Sequence, residues 1–333
     1  MHILKDVRVS LGSLGMVLLI FVAGASPLPV NAQAPFPSNP IQLKVPFAPG
    51  GATDVAARLV AAALSKRLGQ PVVIENKPGA AGNIAAQFVA QAKPDGYTLL
   101  LAYSGILEIN PFMLEKIPFD VNKDFVLIGR IGEYPMVIVT NPLLQAKTVS
   151  ELIALSKQSA TGLDVGVAGL GATDHLLVVQ VAQKTGAKFK IIPYKGGGPV
   201  LTDLLGGQIQ FAMSSTSTVA PFVKSGKVRA LAVSSAERWP TLPDVPTIAE
   251  RGAPGVVMTN LVGLVGPAGV PRAIVDRINS ELNAVLATQE LKESLLAIGV
   301  RAAPGTPEDY RDETRRNYDH FGPLIKSMGI KME

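Results

Sequence analysis

The chain of 333 residues exceeds the ~100–200 residues of an ordinary domain, so two lobes are expected. Only 17% of residues are charged against a usual ~25%, and 47% are hydrophobic, which excludes a disordered polypeptide. A formal charge of +5 without any Lys/Arg-rich run, and 5% aromatics, argue against nucleic-acid binding; zero cysteines exclude disulfides, thiolate metal sites and lipidation of an N-terminal Cys.

Residues 1–34 read as a secretory signal peptide. Lys5 and Arg8 make a positive start, Leu11 to Ala25 is uncharged and apolar, and cleavage is expected after Ala32 or Ala34. The apolar run is shorter than the ~20 residues of a membrane span, and an uncleaved anchor is the alternative. The expected address is the periplasm. Ile41 to Val45 then alternates as a strand and ends at Pro49-Gly50-Gly51. Thr53 or Asp54 is placed to cap a helix over Val55 to Leu68, which has basic residues in its last turn and Gly69 just beyond. Val72 to Glu75 is a strand, Asn83 to Ala92 a helix and Tyr97 to Ala102 a strand, a spacing that predicts parallel βαβ units. Gly132-Glu133-Tyr134-Pro135, between the apolar runs 125–131 and 136–139, is expected to carry the chain into a second lobe.

The second lobe is expected to hold a helix capped by Ser150, a strand at Leu163 to Val167 and a helix from the Gly169-Leu170-Gly171 turn to Gln183. Strands at Lys188 to Ile192, Gln208 to Met213 and Val228 to Val233 follow, with a helix at Val200 to Leu205. Val256 to Val265 is the expected return crossing, after which a helix led by Pro271 and one begun by Thr306-Pro307-Glu308-Asp309 complete the first lobe. The fold class is therefore α/β, with two α/β lobes joined by two crossings: residues 35–134 with 260–333, and 135–259.

Reactive residue types are scarce. Beyond the signal there are two histidines, His175 and His320, and no His-Glu-x-x-His, Gly-x-Ser-x-Gly, Ser-x-x-Lys or phosphate-loop motif, so catalysis is not expected. Gly-Ala-Thr-Asp, by contrast, occurs twice: at 51–54 and at 171–174, each at a strand-to-helix junction. A helix start leaves unpaired N–H groups and a partial positive charge of ~0.5 units, so a carboxylate can bind there without an arginine. Capping alone explains the repeat equally well. Ser104-Gly105 and Ser214-Ser215-Thr216 are expected as hydroxyl-bearing loops at the same edge. His175, in a first helical turn, is expected neutral and donating one hydrogen bond, or merely packed.

Pro46 to Asp54, Glu75-Asn76-Lys77-Pro78-Gly79-Ala80-Ala81-Gly82-Asn83 and Pro94-Asp95-Gly96-Tyr97-Thr98-Leu99-Leu100 resemble the Bug receptors, the substrate-binding proteins of tripartite tricarboxylate transporters. Pro193-Tyr194-Lys195-Gly196-Gly197-Gly198-Pro199, Asp203 to Gln208, Gly226 to Val233 and Leu242 to Thr247 extend the match over the mature chain. The resemblance implies a periplasmic binding protein of the type II-like, two-lobed kind, closing on a small organic carboxylate and delivering it to membrane permease subunits. It implies a monomer with no cofactor, metal or nucleic-acid partner and no catalysis; a receptor signalling to a membrane sensor kinase is the alternative. The implied ligand-binding residues are Phe47, Ala48, Pro49, Gly50, Gly51, Thr53 and Asp54 in one jaw, and Ala168, Gly169, Gly171, Thr173 and His175 in the other. Ser104, Gly105, Asn110, Ser214 and Ser215 complete the pocket. Two departures stand out: many relatives carry an acid near Ser214, and Glu108 replaces a small neutral residue, facing either the cleft or solvent.

Overall fold

A computed structural model of the protein describes residues 36–50 and 52–329. The signal-peptide segment and Gly51 lie outside the described residues. The first strand, β1 (Ile41–Val45), is apolar and buried along most of its length, and is followed by α1 (Ala52–Leu68), whose Ala57, Val60, Leu64 and Leu68 pack onto the sheet. Gly69, at φ +68°, ends α1 and donates its N–H to the Ser65 carbonyl. Next come β2 (Val72–Asn76), α2 (Asn83–Ala90) and β3 (Thr98–Tyr103). β1 pairs with β2 and β3 in parallel, as the βαβ spacing predicts.

The expected loop at Ser104-Gly105 is instead helical. A π-helical turn at Gly105–Ile109 runs into α3 (Asn110–Met113), because the apolar Ile106, Leu107 and Ile109 all bury inward. The expected interruption at 132–135 is also absent: β4 (Phe125–Thr140) is one strand of 16 residues. It pairs with β9 up to Pro135 and with β7 from Met136, so the proline falls where the strand changes partner.

The second half comprises α4 (Val149–Gln158), β5 (Leu163–Val167), α5 (Thr173–Thr185), β6 (Phe189–Pro193), α6 (Gly197–Leu205), β7 (Phe211–Ser215), α7 (Thr216–Lys224) and β8 (Arg229–Val233). Thr148, not Ser150, caps α4: its hydroxyl accepts the Glu151 N–H at 3.1 Å. Ser214 and Ser215 close strand β7 and do not begin a loop, and the unexpected α7 starts at the next residue. The chain returns through β9 (Thr259–Pro267), then α8 (Arg272–Leu286), α9 (Gln289–Ala297), β10 (Arg301–Ala302) and α10 (Pro307–Ser327). Thr306 and Asp309 form the expected capping box of α10.

The strands form one sheet in the order β2-β1-β3-β9-β4-β7-β5-β6, with β8 and β10 also paired to β4. Parallel ladders lie at both ends, and the antiparallel pairs of β3, β9, β4 and β7 join them. Both faces of the sheet are covered, which is why β3 is a near-continuous apolar run. In this arrangement the carboxyl ends of β1 and β5, and the helix starts that follow them, meet across the crossing strands β4 and β9.

Candidate functional site

The site forms where four helix starts converge. Thr53 from α1, Ala172, Thr173 and Asp174 at the start of α5, Gly197 from α6, Ser215 at the end of β7 and Thr218 from α7 all line one cavity. Its free volume is small, about 40 Å³, a few water molecules' worth. The N-cap residues of α5, α6 and α7 make no side-chain cap hydrogen bond; in α5 the His175 N–H is taken by the Asp174 carboxylate. The floor is apolar and aromatic: Phe47 and Tyr103 have ring centroids 5.0 Å apart, with Met136, Val200 and Met213 beside them. No Lys, Arg or His lines the cavity.

In the first jaw, Phe47 and Thr53 reach the cavity, and the Thr53 side chain lies beside the Tyr134 hydroxyl. Asp54 points backward. Its carboxylate accepts from the Gly50 N–H at 3.1 Å, from Asn76 at 2.8 Å and from the Arg58 guanidinium at 2.9 and 3.0 Å. Burial pushes this carboxyl up, but these hydrogen bonds and the guanidinium charge outweigh it and hold it below the usual range. Asn76 also donates to the Phe47 carbonyl at 2.9 Å, so Asp54 and Asn76 together staple the loop. Ala48, Pro49 and Gly50 follow the loop outward, the last two exposed, and the Pro49 carbonyl abuts Gly198 of the other half.

In the second jaw, Ala168, Thr173 and Asp174 line the cavity. Asp174 accepts from the N–H groups of Ala168 and His175, and Thr173 donates to Asn260 on β9 at 2.6 Å. With no cation beside it, Asp174 is pushed up to about 7 by burial, which exceeds the opposing backbone hydrogen bonds. His175 and Gly171 lie outside the cavity. The His175 Nδ1 accepts the Gly171 N–H at 3.1 Å, so the ring staples the loop through its acceptor nitrogen. Burial depresses it to about 4. Gly171 takes φ +86°, and a Cβ there would lie 2.9 Å from Asn110 Oδ1. Gly169 packs against Ala81 in a larger neighbouring pocket of about 370 Å³ that shares Phe47 and Ala168 and carries Lys116 and Lys195.

Ser104, Gly105 and Asn110 stand behind the cavity and do not line it. Ser104 Oγ accepts the Leu261 N–H at 2.9 Å, Gly105 leaves room only for the Tyr103 ring, and Asn110 donates to Asn83 at 2.8 Å. Ser214 and Ser215 do line it. Ser215 shares a hydrogen bond with Thr218 at 2.8 Å, whereas the buried Ser214 hydroxyl has no partner. Glu108 faces neither cleft nor solvent. It is 0% exposed beneath α10, near Ser104 and Asn317 without a close hydrogen bond to either, and burial pushes it up to about 8.

The residue reading did not name Tyr103, Tyr134, Met136, Gly197, Val200, Met213, Thr218 or Asn260 as site residues, and it left Ala172 and Asp174 unnamed within the second jaw. Asp174 had a signal, being the last residue of the repeated tetrapeptide. Tyr134 and Asn260 had none, because they belong to crossing strands that meet only in three dimensions.

A family model described as the tripartite tricarboxylate transporter family receptor matches residues 56–330. The chain belongs to that family. It is 36% identical to protein BugT of Bordetella pertussis over 319 residues, covering 95% of this chain and 98% of that one. A Rhodopseudomonas palustris structure with adipate superposes with a TM-score of 0.86 at 34% identity, covering 89% of this chain and all of the other. MatC from the same organism, with bound malate, gives 0.84 at 30% identity, covering 87% and 100%. These receptors bind substrates without transforming them, and the two-lobed fold is theirs. Among the described residues no helix is long and apolar enough to cross a membrane, and no cluster of three metal-ligating side chains occurs.

Proposed function

We propose that this tripartite tricarboxylate-type receptor captures a small organic carboxylate in the cavity between its lobes, in the periplasm, and delivers it to the membrane permease. The observation that carries the reading is the convergence of four helix starts, three without side-chain caps, on a pocket devoid of cationic side chains. Backbone N–H groups and helix dipoles supply the positive potential that an arginine would supply elsewhere. Thr53, Thr173, Ser214 and Ser215 add hydroxyls, and the unpartnered Ser214 hydroxyl awaits an acceptor. The adipate and malate bound by structural relatives fit the same chemistry.

The change of partner along β4 at Pro135/Met136, opposite Thr259 on β9, supports lobes at 35–134 with 260–333 and at 135–259. The lobes close as a monomer about these two strands, and residues 1–34 serve as the export signal. A thermal-shift panel tests the reading. Mono- and dicarboxylates of three to six carbons should stabilise the protein by mass action, about 2.7 kcal/mol at one hundred times Kd, while nucleotides and divalent cations should not. A nucleotide response with no response to any organic acid would overturn it.

A further inference from the structure

Among the described residues the cavity lining holds one carboxyl group and no cationic side chain. Asp174 is 2% exposed, and its oxygens accept only from the backbone N–H groups of Ala168 and His175. The titratable groups that face it are Tyr103 on β3, Tyr134 on β4 and His175 beside it on α5. None is cationic: the tyrosines are neutral, and the His175 ring accepts the Gly171 N–H through Nδ1. Asp54, at the matching position of the other jaw, has its own guanidinium and does not line the cavity.

The first turn of α5 that carries Asp174 is also one of the helix starts assigned above to the ligand's carboxylate. Two carboxyl groups at one buried helix start, with no cation between them, do not ionise together; one keeps a proton. We propose, building on the functional reading above, that Asp174 is the specificity-determining residue of the cavity. The receptor takes its ligand as a carboxylate plus one proton, drawn from solvent and held on the Asp174 carboxyl. Protonated Asp174 turns from an acceptor into an O–H donor, so acidification favours acids without an amine. Ligands carrying an ammonium group are favoured by the ionised form, at higher pH. The upward push that burial exerts on Asp174 is consistent with this coupling.

Calorimetry of adipate and malate binding, in buffers of different ionisation enthalpy between pH 6 and 8.5, tests the proposal. This range lies above the ~4 of ordinary carboxylates, so the ligands themselves do not titrate. Proton uptake should approach one per ligand at pH 8 and fall toward zero at pH 6, and Kd should weaken up to about tenfold per pH unit above 7. Glu108 also titrates near pH 8 but lies outside the cavity. Uptake should therefore persist in Glu108→Gln and vanish in Asp174→Asn. If Asp174→Asn does not fold, the wild-type and Glu108→Gln titrations still decide. Binding without proton uptake, or uptake lost in Glu108→Gln, would overturn the proposal. Absence of binding heat from either acid at every pH would overturn the functional reading and this inference with it.

Discussion

The two Gly-Ala-Thr-Asp junctions share a sequence and differ in electrostatics. Asp54 and Asp174 are equally buried, at 2% exposure, and each turns its carboxyl back to a loop N–H just ahead of its helix: Gly50 in one case, Ala168 in the other. Arg58, one turn along α1, and Asn76 at the end of β2 complete the shell of Asp54, so that carboxyl stays ionised and spends itself on holding the loop. α5 has Val178 one turn after Asp174, so no guanidinium reaches that carboxyl. The same tetrapeptide thus yields a structural anchor in one jaw and an uncompensated acid on the cavity wall in the other. A motif defines the backbone turn and the hydrogen bond behind it; the residue four places on decides whether the acid is charged.

Substitutions at the two junctions should separate these roles. Asp54→Ala strands a guanidinium, an amide and the Gly50 N–H, and should cost about 3 kcal/mol in urea denaturation, with affinity lost as the loop loosens. A fully stable Asp54→Ala with weakened binding would instead make Asp54 a ligand contact. Asp174→Asn should change the pH profile of stability. In the fold Asp174 keeps its proton up to about pH 7, whereas the unfolded chain releases it near 4. The native state therefore binds more protons between these limits, and stability falls as pH rises through that window. The variant should lack a drop on the order of 3 kcal/mol between pH 4 and 7. An unchanged profile would mean that Asp174 ionises normally.

Smaller effects should follow at the rims. Gly171→Ala forces a side chain into φ +86° and against Asn110, and should cost about 1–2 kcal/mol in thermal unfolding. Ser214→Ala removes a hydroxyl that has no partner in the fold, so stability should move by no more than about 0.5 kcal/mol. Its affinity for a carboxylate should weaken by about 1 kcal/mol, and an unaltered Kd would remove Ser214 from the site.

Much of this was legible in the chain. The βαβ spacing, the Gly69 stop of α1, the capping box at Thr306 and the apolar stripe of α8 are local signals, and each appears in the fold. Thr53 and Thr173 follow strand ends, and Ser214 and Ser215 close a strand, which is what made them readable as candidate site residues. Ser104, Gly105 and Asn110 follow a strand end too, yet burial of Ile106 and Ile109 winds that segment into a helix and carries it behind the wall. Glu108 defeated both sequence readings, since a lone acid gives no local sign that α10, some two hundred residues later, will cover it. Sequence by itself determined the helix starts and their taste for anions, because backbone N–H groups and short polar side chains act within a few residues. Only the tertiary structure decided which starts converge, that Tyr134 and Asn260 on the crossing strands join them, and how deeply Asp174 is buried beside them. Those outcomes depend on desolvation and long-range pairing, which no window of sequence contains.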